Sequence, residues 1–592
     1  MTTQVHEQAP AAAGGAFITG PTAPGTIFTP ERLADDHRAI RDALAGFVVK
    51  EVDPRRDKVE GKDYATHREL LERLGRDGYL GIDVPEAYGG AGLDRICSLV
   101  VNESLAATGS FAVTYAAHTG IGTLPIAFFG TEEQKRRYLP GLADGTRVGA
   151  YALTEPGAGS DAMGIRTRAT RQPDGSWRLD GEKQFITNAA FADLFTVYAK
   201  IDGEAFSAFL VESGTPGLSV GREEEKMGLH GASTCPVTLD GVVVPAENLL
   251  GEPGKGHRVA FNVLNVGRFK LAAACLGGMR PALGIATRYA GERTAFGRKL
   301  AAFPLIGAKL AAMAVRTYGV ESAVYRIAGL LDASLSTAED ATSSEAATSL
   351  EAVRRALEEY AVECSLAKVL ASEELGFVVD ELVQIHGGYG YIEEYPAAAA
   401  YRDARIHRIW EGTNEINRLL VPGQLLRRAM SGRLDLLGPA TRARDALLGG
   451  ELQAFSGPFA VEEAAVAATR TVTLLLAGAA VQRYGTAIEE EQEVLAALAD
   501  LAIALFTMDS AVGRAAQSGT AVQADLARLL VAERIGGVEL RAKAVAARLA
   551  EGDEARTLVA GMRRLLRGEP VDQVALGRRV AAAVIAADGY CA

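Results

Sequence analysis

Hydrophobic periodicity changes twice along this chain, and those two changes limit the fold more than any other feature of the sequence. From about Thr29 to Arg147 apolar residues recur at the three- and four-residue spacing of a helix face, as in His67 to Leu80 and Asp94 to Ala107, with a glycine-rich break at Tyr88-Gly89-Gly90. Between about Val148 and His257 short β-rich runs take over (Phe195 to Lys200, Ala208 to Val211, Pro236 to Leu239), punctuated by turns such as Pro173-Asp174-Gly175 and Asp240-Gly241. From Arg258 helical spacing returns in runs long enough for a bundle: Arg258 to Ala290, Leu305 to Leu331 and Leu350 to Ile385. The pattern predicts a mostly α protein with an inserted all-β domain. A single core stops growing near about 250 to 300 residues, so 592 residues imply several domains.

The expected division is a disordered tail over 1–27, a helical domain over 28–147, a β domain over 148–257, a helical bundle over 258–430 and an Ala- and Leu-rich helical extension over 431–592. The tail assignment rests on a start rich in Ala, Gly, Pro and Thr, and the Ser-, Thr- and Ala-rich stretch Ala333 to Ser349 reads as a solvated loop between bundle helices. A formal charge of −12 repels phosphate backbones and anionic lipid, so neither nucleic acid nor a membrane surface is an expected partner. Five scattered cysteines have no metal-ligand spacing, which predicts no metal and a reducing compartment. The start of the chain has neither a basic and apolar signal sequence nor the arginines of a transit peptide, and the most apolar run, around Thr473 to Val481, is shorter than the roughly 18 to 20 residues of a membrane span. A cytoplasmic protein is expected.

Three stretches carry the residue types of a site. Tyr151 to Asp161 places Thr154 and Ser160 among glycines, where main-chain N–H groups can approach a ligand closely; the alternative is a plain turn. Phe185-Ile186-Thr187-Asn188 ends a strand with an aromatic face and a hydroxyl suited to flank a planar heterocycle; the alternative is a core Phe185. In the third, a Gly387-Gly388 pair follows a helix, and further on Glu411 lies between Trp410 and Gly412, ahead of Thr413 and Asn414 as candidate N-caps. A carboxylate in such an apolar loop is disfavoured in its ionised form, which suits a general base; the alternative is a surface charge.

With these motifs in order, the chain resembles the acyl-CoA dehydrogenase family. TEPGAGSD stands at Thr154 to Asp161, QIHGGYGY at Gln384 to Tyr391 and RDARIHRIWEGTNE at Arg402 to Glu415. Further matches are FGTEEQKRRYLP at Phe129 to Pro140, KMG at Lys226 to Gly228, VPAENLLGEPGKG at Val244 to Gly256 and ERTAFGRKL at Glu292 to Leu300. They span most of residues 30–425, and the extension together with AFPLIGAKLA at Ala302 to Ala311 is similar to the very-long-chain branch. The resemblance implies an α domain, a β-barrel domain and a four-helix bundle, plus an extra C-terminal helical domain.

It also implies roles. FAD would be bound by Tyr151, Leu153, Thr154, Gly159, Ser160, Phe185 and Thr187, by Arg293, Phe296, Gln384, Ile385, Gly387 and Gly388, partly from a neighbouring subunit, and by Thr413, Asn414 and Glu415. Many relatives have Trp where Phe185 stands. Ser160, Arg268 and Gly412 would contact acyl-CoA, and Glu411 would remove the proton next to the thioester carbonyl while a hydride leaves the β carbon. One branch carries its base immediately before the arginine; that position is Gly267 here, so Glu411 is the base. The implied activity is FAD-dependent oxidation of a medium to very long fatty acyl-CoA to the trans-2-enoyl-CoA in β-oxidation. An electron-transferring flavoprotein would be the acceptor and the enzyme a homo-oligomer, most simply a dimer. An acyl-CoA oxidase using oxygen and a DNA-associated flavoprotein of the same fold are the alternatives. Membrane association by the extension, known in the very-long-chain branch, is disfavoured by Glu489-Glu490-Glu491 and Glu493.

Overall fold

In the computed structural model, residues 12–339, 347–449 and 453–592 are described. They form two compact units, one of residues 34–277 and 334–358, the other of residues up to 33, 278–333 and 359–592. The expected boundaries at 257/258 and 430/431 do not coincide with these units: the division falls inside helix Gly256–Glu292, and the bundle and the extension share one unit.

The unit of residues 34–277 opens with helices from Asp35–Phe47 to Glu132–Asp144. Leu44, Leu70, Leu74, Ile82, Val101 and Phe111 are buried in its helical core. The last of these helices begins where the sequence supplies a reciprocal cap: Thr131 Oγ1 accepts from Gln134 N at 3.2 Å, and Gln134 Oε1 accepts from Thr131 N at 2.9 Å.

The sheet that follows comprises β1 (Gly149–Ala152), β2 (Arg168–Arg171), β3 (Trp177–Thr187), β4 (Leu194–Ile201), β5 (Ala205–Glu212), β6 (Leu218–Val220), β7 (Thr234–Val244) and β8 (Leu249–Leu250). Their order is β6-β7-β3-β2-β4-β5-β8, with β1 parallel to β4. β4 and β5 are buried on both faces and therefore read as nearly unbroken apolar runs, whereas β3 and β7 alternate. Trp177, Leu179, Phe195, Val197, Phe209 and Val237 belong to the core.

In the other unit, the long helices Pro304–Glu339, Ala361–His386 and Asn414–Met430 pack with Ala460–Tyr484, Gln492–Ser518 and Ala521–Leu549 of the extension. Packing is tight: a methyl group at Gly319 would meet Leu530 Cδ1 at 2.6 Å and Thr507 Cγ2 at 3.1 Å, and Tyr318 OH donates to the Ala511 carbonyl at 3.2 Å.

Three expectations are corrected. From residue 12 onward the supposed tail is packed structure: Phe17, Ile18 and Ile27 are buried, the Phe17 ring lies 5.0 Å from that of Phe506, and Arg470 Nε donates to the Phe17 carbonyl at 3.0 Å. Three well-placed apolar side chains outweigh a composition that reads as disordered; residues 1–11 lie outside the described ones. The predicted loop at 333–349 is helical at both ends, since one helix runs to Glu339 and another begins at Ala347; residues 340–346 lie outside the described ones. Finally, among the described residues three helices are long and apolar enough to cross a membrane, Gly256–Glu292, Ala460–Glu490 and Gln492–Ser518. Their apolar 18-residue windows are 72%, 56% and 72% buried inside the fold, which accounts for the apolarity by packing.

Candidate active site

On the β domain, the loop after β1 is built by one buried carboxylate. Glu155 Oε1 accepts from Thr167 N at 3.0 Å and from Lys183 Nζ at 2.7 Å, while Oε2 accepts from Arg166 N at 2.6 Å. Lys183 also donates to the Leu153 carbonyl at 3.1 Å, and Gln184 N donates to the Thr154 carbonyl at 2.8 Å. Burial pushes the Lys183 ammonium down to about 8, opposed by the charge of Glu155, and the same ammonium holds the Glu155 carboxyl below its ordinary range despite its burial. Glu155 and Ala158 exchange backbone hydrogen bonds of 3.1 and 3.0 Å, so Pro156 and Gly157 form a tight tip. Beyond it Gly159 and Ser160 are exposed, and a methyl group at Gly157 or Gly159 would meet nothing within 4 Å.

Beside this loop, β3 carries an extra residue. Its register against β7 runs Lys183↔Val237 and then Ile186↔Cys235, three steps against two. The bulge leaves Phe185 in the left-handed region at φ 59° with 57% of its surface exposed, so it is not a core residue. Thr187 is half-buried, whereas Tyr151 and Leu153 are buried, the Tyr151 ring lying 5.0 Å from that of Tyr198. Arg268, 7% exposed, is oriented by Asn265, whose Oδ1 accepts from Nη1 at 2.8 Å.

The other unit holds the remaining motif residues. Helix Ala361–His386 ends at Gly387, which takes φ 61°, and Gly387 and Gly388 are exposed with open space where a methyl group would stand. Arg293 lies over the Tyr389 ring at 5.5 Å, which brings it to the glycine pair. Thr294–Ala295 and Arg298–Lys299 form a hairpin whose two turn residues, Phe296 and Gly297, have φ 49° and 76°. Such a turn ordinarily carries Asn-Gly; here a phenylalanine occupies its tip, 95% exposed. Gln384 is exposed and Ile385 is buried.

Glu411 precedes helix Asn414–Met430, whose N-cap Thr413 accepts from Ile416 N at 3.3 Å, as the sequence predicts. Glu411 and Gly412 take consecutive left-handed conformations, φ 58° and 78°. The Glu411 side chain is half-buried and its Oε2 is shielded from solvent. Asn417 Nδ2 donates to the Gly412 carbonyl at 2.8 Å, and the fully buried Lys368 donates to the same carbonyl at 2.8 Å and to Asn414 Oδ1 at 2.7 Å.

Asn414 is therefore placed differently from the sequence expectation. It is 2% exposed, and its side-chain nitrogen donates to Ser372 Oγ at 3.1 Å and Glu373 Oε1 at 3.0 Å, so its amide holds the loop and is not presented to a cofactor. Glu415 is exposed at the start of the helix. Lys368, Glu373, Asn417 and Arg418 are the residues that sequence reasoning missed; a lone lysine within the apolar run Ala367-Lys368-Val369-Leu370 was the available signal. A separate grouping of His37, Asp94 and Cys97 is accounted for by capping: Asp94 accepts from Cys97 N at 2.7 Å and from His37 Nε2 at 2.9 Å, while His37 Nδ1 accepts from Ala34 N at 3.1 Å.

Comparison with known proteins gives a consistent answer. Family profiles described as the acyl-CoA dehydrogenase N-terminal, middle and C-terminal domains match residues 34–146, 150–242 and 254–426, and a further acyl-CoA dehydrogenase C-terminal domain profile matches 468–564. The chain is 44% identical over 588 residues to a "Probable acyl-CoA dehydrogenase" of Bacillus subtilis (strain 168), covering 98% of each. It is 36% identical over 518 residues to the human mitochondrial very long-chain specific acyl-CoA dehydrogenase, covering 81% of this chain and 74% of that protein. A crystal structure of an acyl-CoA dehydrogenase complexed with FAD from Bacillus anthracis is similar over 98% of this chain and 100% of that one, with a TM-score of 0.96 and 44% identity.

Proposed function

The chain belongs to the acyl-CoA dehydrogenase family, and from that premise we propose that it uses FAD to convert a fatty acyl-CoA to the trans-2-enoyl-CoA with Glu411 as the base. The observation that carries the assignment is the Glu411 loop: a carboxylate with one oxygen shielded from water, on two successive left-handed residues fixed by Lys368 and Asn417. A non-glycine residue in that conformation costs on the order of 1–3 kcal/mol, and such strain persists where surrounding structure over-determines it.

The residues present fit a flavin dinucleotide. Phe185 on its bulge and Phe296 on its hairpin turn hold exposed rings out from strained backbone, and the open backbone at Gly157, Gly159, Gly387 and Gly388 admits a large ligand rich in acceptors. Thr154, Ser160, Phe185 and Thr187 would hold the ring system, and Arg293, Phe296, Gln384, Gly387 and Gly388 the remainder. When bound, FAD supplies the acceptor for the hydride that leaves the β carbon. Glu411 takes the proton from the α carbon, and its backbone N–H serves as a donor to the thioester carbonyl, where negative charge develops. Arg268, held by Asn265, contacts the CoA portion.

Glu411→Gln keeps the shape of the side chain and removes the base. We expect this variant to retain flavin absorbance and acyl-CoA binding while turnover falls by roughly 10²- to 10⁴-fold; near-parental turnover sinks the assignment. We further read the substrate as a medium to very long acyl chain, because the extension resembles that of the very-long-chain branch. The acceptor is an electron-transferring flavoprotein, and the protein is a cytoplasmic homo-oligomer. The large apolar side chains Phe296, Tyr391 and Leu305, at 95%, 85% and 81% exposure, support a second copy that covers them. Turnover across an acyl-CoA series with an artificial acceptor measures chain preference, and peroxide released at the turnover rate without any acceptor would make the protein an oxidase instead.

A further inference from the structure

We propose that the C-terminal extension is part of the catalytic apparatus: Asp500, on helix Gln492–Ser518, is a positioning residue that holds the Glu411 loop through an unbroken chain of hydrogen bonds. The inference rests on Glu411 being the base.

The chain has five links, all within one compact unit. Asp500 Oδ1 accepts from Arg418 Nε at 2.8 Å. Arg418 grips both oxygens of Glu373 with its two terminal nitrogens, at 2.7 and 2.9 Å. Glu373 Oε1 accepts from Asn414 Nδ2 at 3.0 Å, Asn414 Oδ1 accepts from Lys368 Nζ at 2.7 Å, and Lys368 donates at 2.8 Å to the carbonyl of Gly412, the residue after Glu411. Each link fixes the sense of the next. The bidentate fork sets the plane of the Glu373 carboxylate. That carboxylate accepts only, so the Asn414 amide must turn its nitrogen toward it and its oxygen toward Lys368. The Lys368 ammonium, on a fully buried side chain, is held strictly to its acceptors, because an unmade hydrogen bond there is costly. Asp500 is braced from its far side, where Arg541 Nε donates to Oδ2 at 3.0 Å.

The bonds are charge-assisted and partly sheltered: the side chains of Arg418, Asp500 and Glu373 are 16%, 20% and 37% exposed. The outer links border a cavity of about 190 Å³ lined by Arg316, Arg418, Arg534 and Arg541 and by Glu373, Glu374, Asp500 and Glu533. Four guanidiniums face four carboxylates there, leaving no unmatched charge to recruit a ligand, so the cluster serves to hold helices in register.

The test compares Asp500→Asn, Asp500→Glu and Arg418→Lys with the parent, each loaded with FAD, alongside Glu411→Gln. Asp500→Asn keeps size and loses charge, and Arg418→Lys keeps charge and loses the fork. For both we expect kcat to fall by roughly 10- to 100-fold, KM for acyl-CoA to stay within about twofold, and the acid limb of the kcat–pH profile to move. FAD content and thermal midpoint should stay near parental, and Asp500→Glu should recover most of the rate. Parental kcat and acid limb in Asp500→Asn and Arg418→Lys would overturn the proposal, as would a fall in kcat that tracks the thermal midpoint with the acid limb unmoved. If Asp500→Asn does not fold, Arg418→Lys decides by the same readings. The base assignment fails separately: an active Glu411→Gln removes it, whereas an inactive Glu411→Gln beside a parental Asp500→Asn removes the chain of bonds alone.

Discussion

Phe185, Phe296 and Glu411 share an uncommon backbone property. All three have positive φ, at 59°, 49° and 58°, among only eight described non-glycine residues that do. A left-handed conformation costs an L-residue about 1–2 kcal/mol, so these positions are held against their own preference. Phe185→Gly relieves that cost and removes the ring. We expect its thermal midpoint to equal or exceed the parental one while FAD, titrated into apoprotein, binds roughly fivefold to tenfold more weakly, the worth of an aromatic contact. Unchanged FAD affinity would show that the exposed ring takes no part in binding. The loop position of Glu411 was legible because it is announced by neighbours in sequence: a tryptophan, a glycine and a capping threonine. Lys368 and the inward turn of Asn414 were not, because their partners lie 44 and 46 residues away, and periodicity carries no information about contacts at that range.

Elements show the same division. The capping residue Thr413 could be read directly, since a cap is a local hydrogen bond. The bulge in β3 could not, because it exists only as a register against β7. Equally hidden was the π-helical turn His118–Gly122, which braces the start of β1. His118 Nε2 faces the Leu142 carbonyl at 2.8 Å and Nδ1 accepts from Gly149 N at 3.1 Å, an arrangement that requires a neutral ring. Burial pushes the imidazole down to about 4 from 6.5. The unfolded chain therefore takes up this proton first as pH falls. The stability that His118 contributes is complete above pH 6.5 and is lost as pH drops toward 4, up to about 3 kcal/mol. Urea midpoints at pH 7.5 and 4.5 should fall accordingly, and more shallowly in His118→Gln. An equal slope in the two proteins would show that this histidine does not set the acid limit.

At the scale of the whole molecule, the bundle and extension are not separable by their packing. Gly319 abuts Leu530, and Arg514, 1% exposed, bonds Glu31 at 2.6 Å and Glu321 at 2.5 Å, joining the N-terminal segment, a bundle helix and the extension in one charged knot. We expect calorimetry to show residues 278–333 and 359–592 unfolding in one transition, and two resolved transitions for bundle and extension would contradict a common core. The sequence pattern disclosed the helical texture of both regions; it could not disclose that their apolar faces meet.

Thr22 bonds Asp509 across 487 residues of chain, and Phe17 packs on Phe506. On a ribosome adding about 5 to 20 residues per second, that gap takes roughly 25 to 100 s to synthesise. Phe17 and Thr22 thus wait that long for the residues they pack against and bond, and in the meantime the ring of Phe17 lacks its partner on the extension.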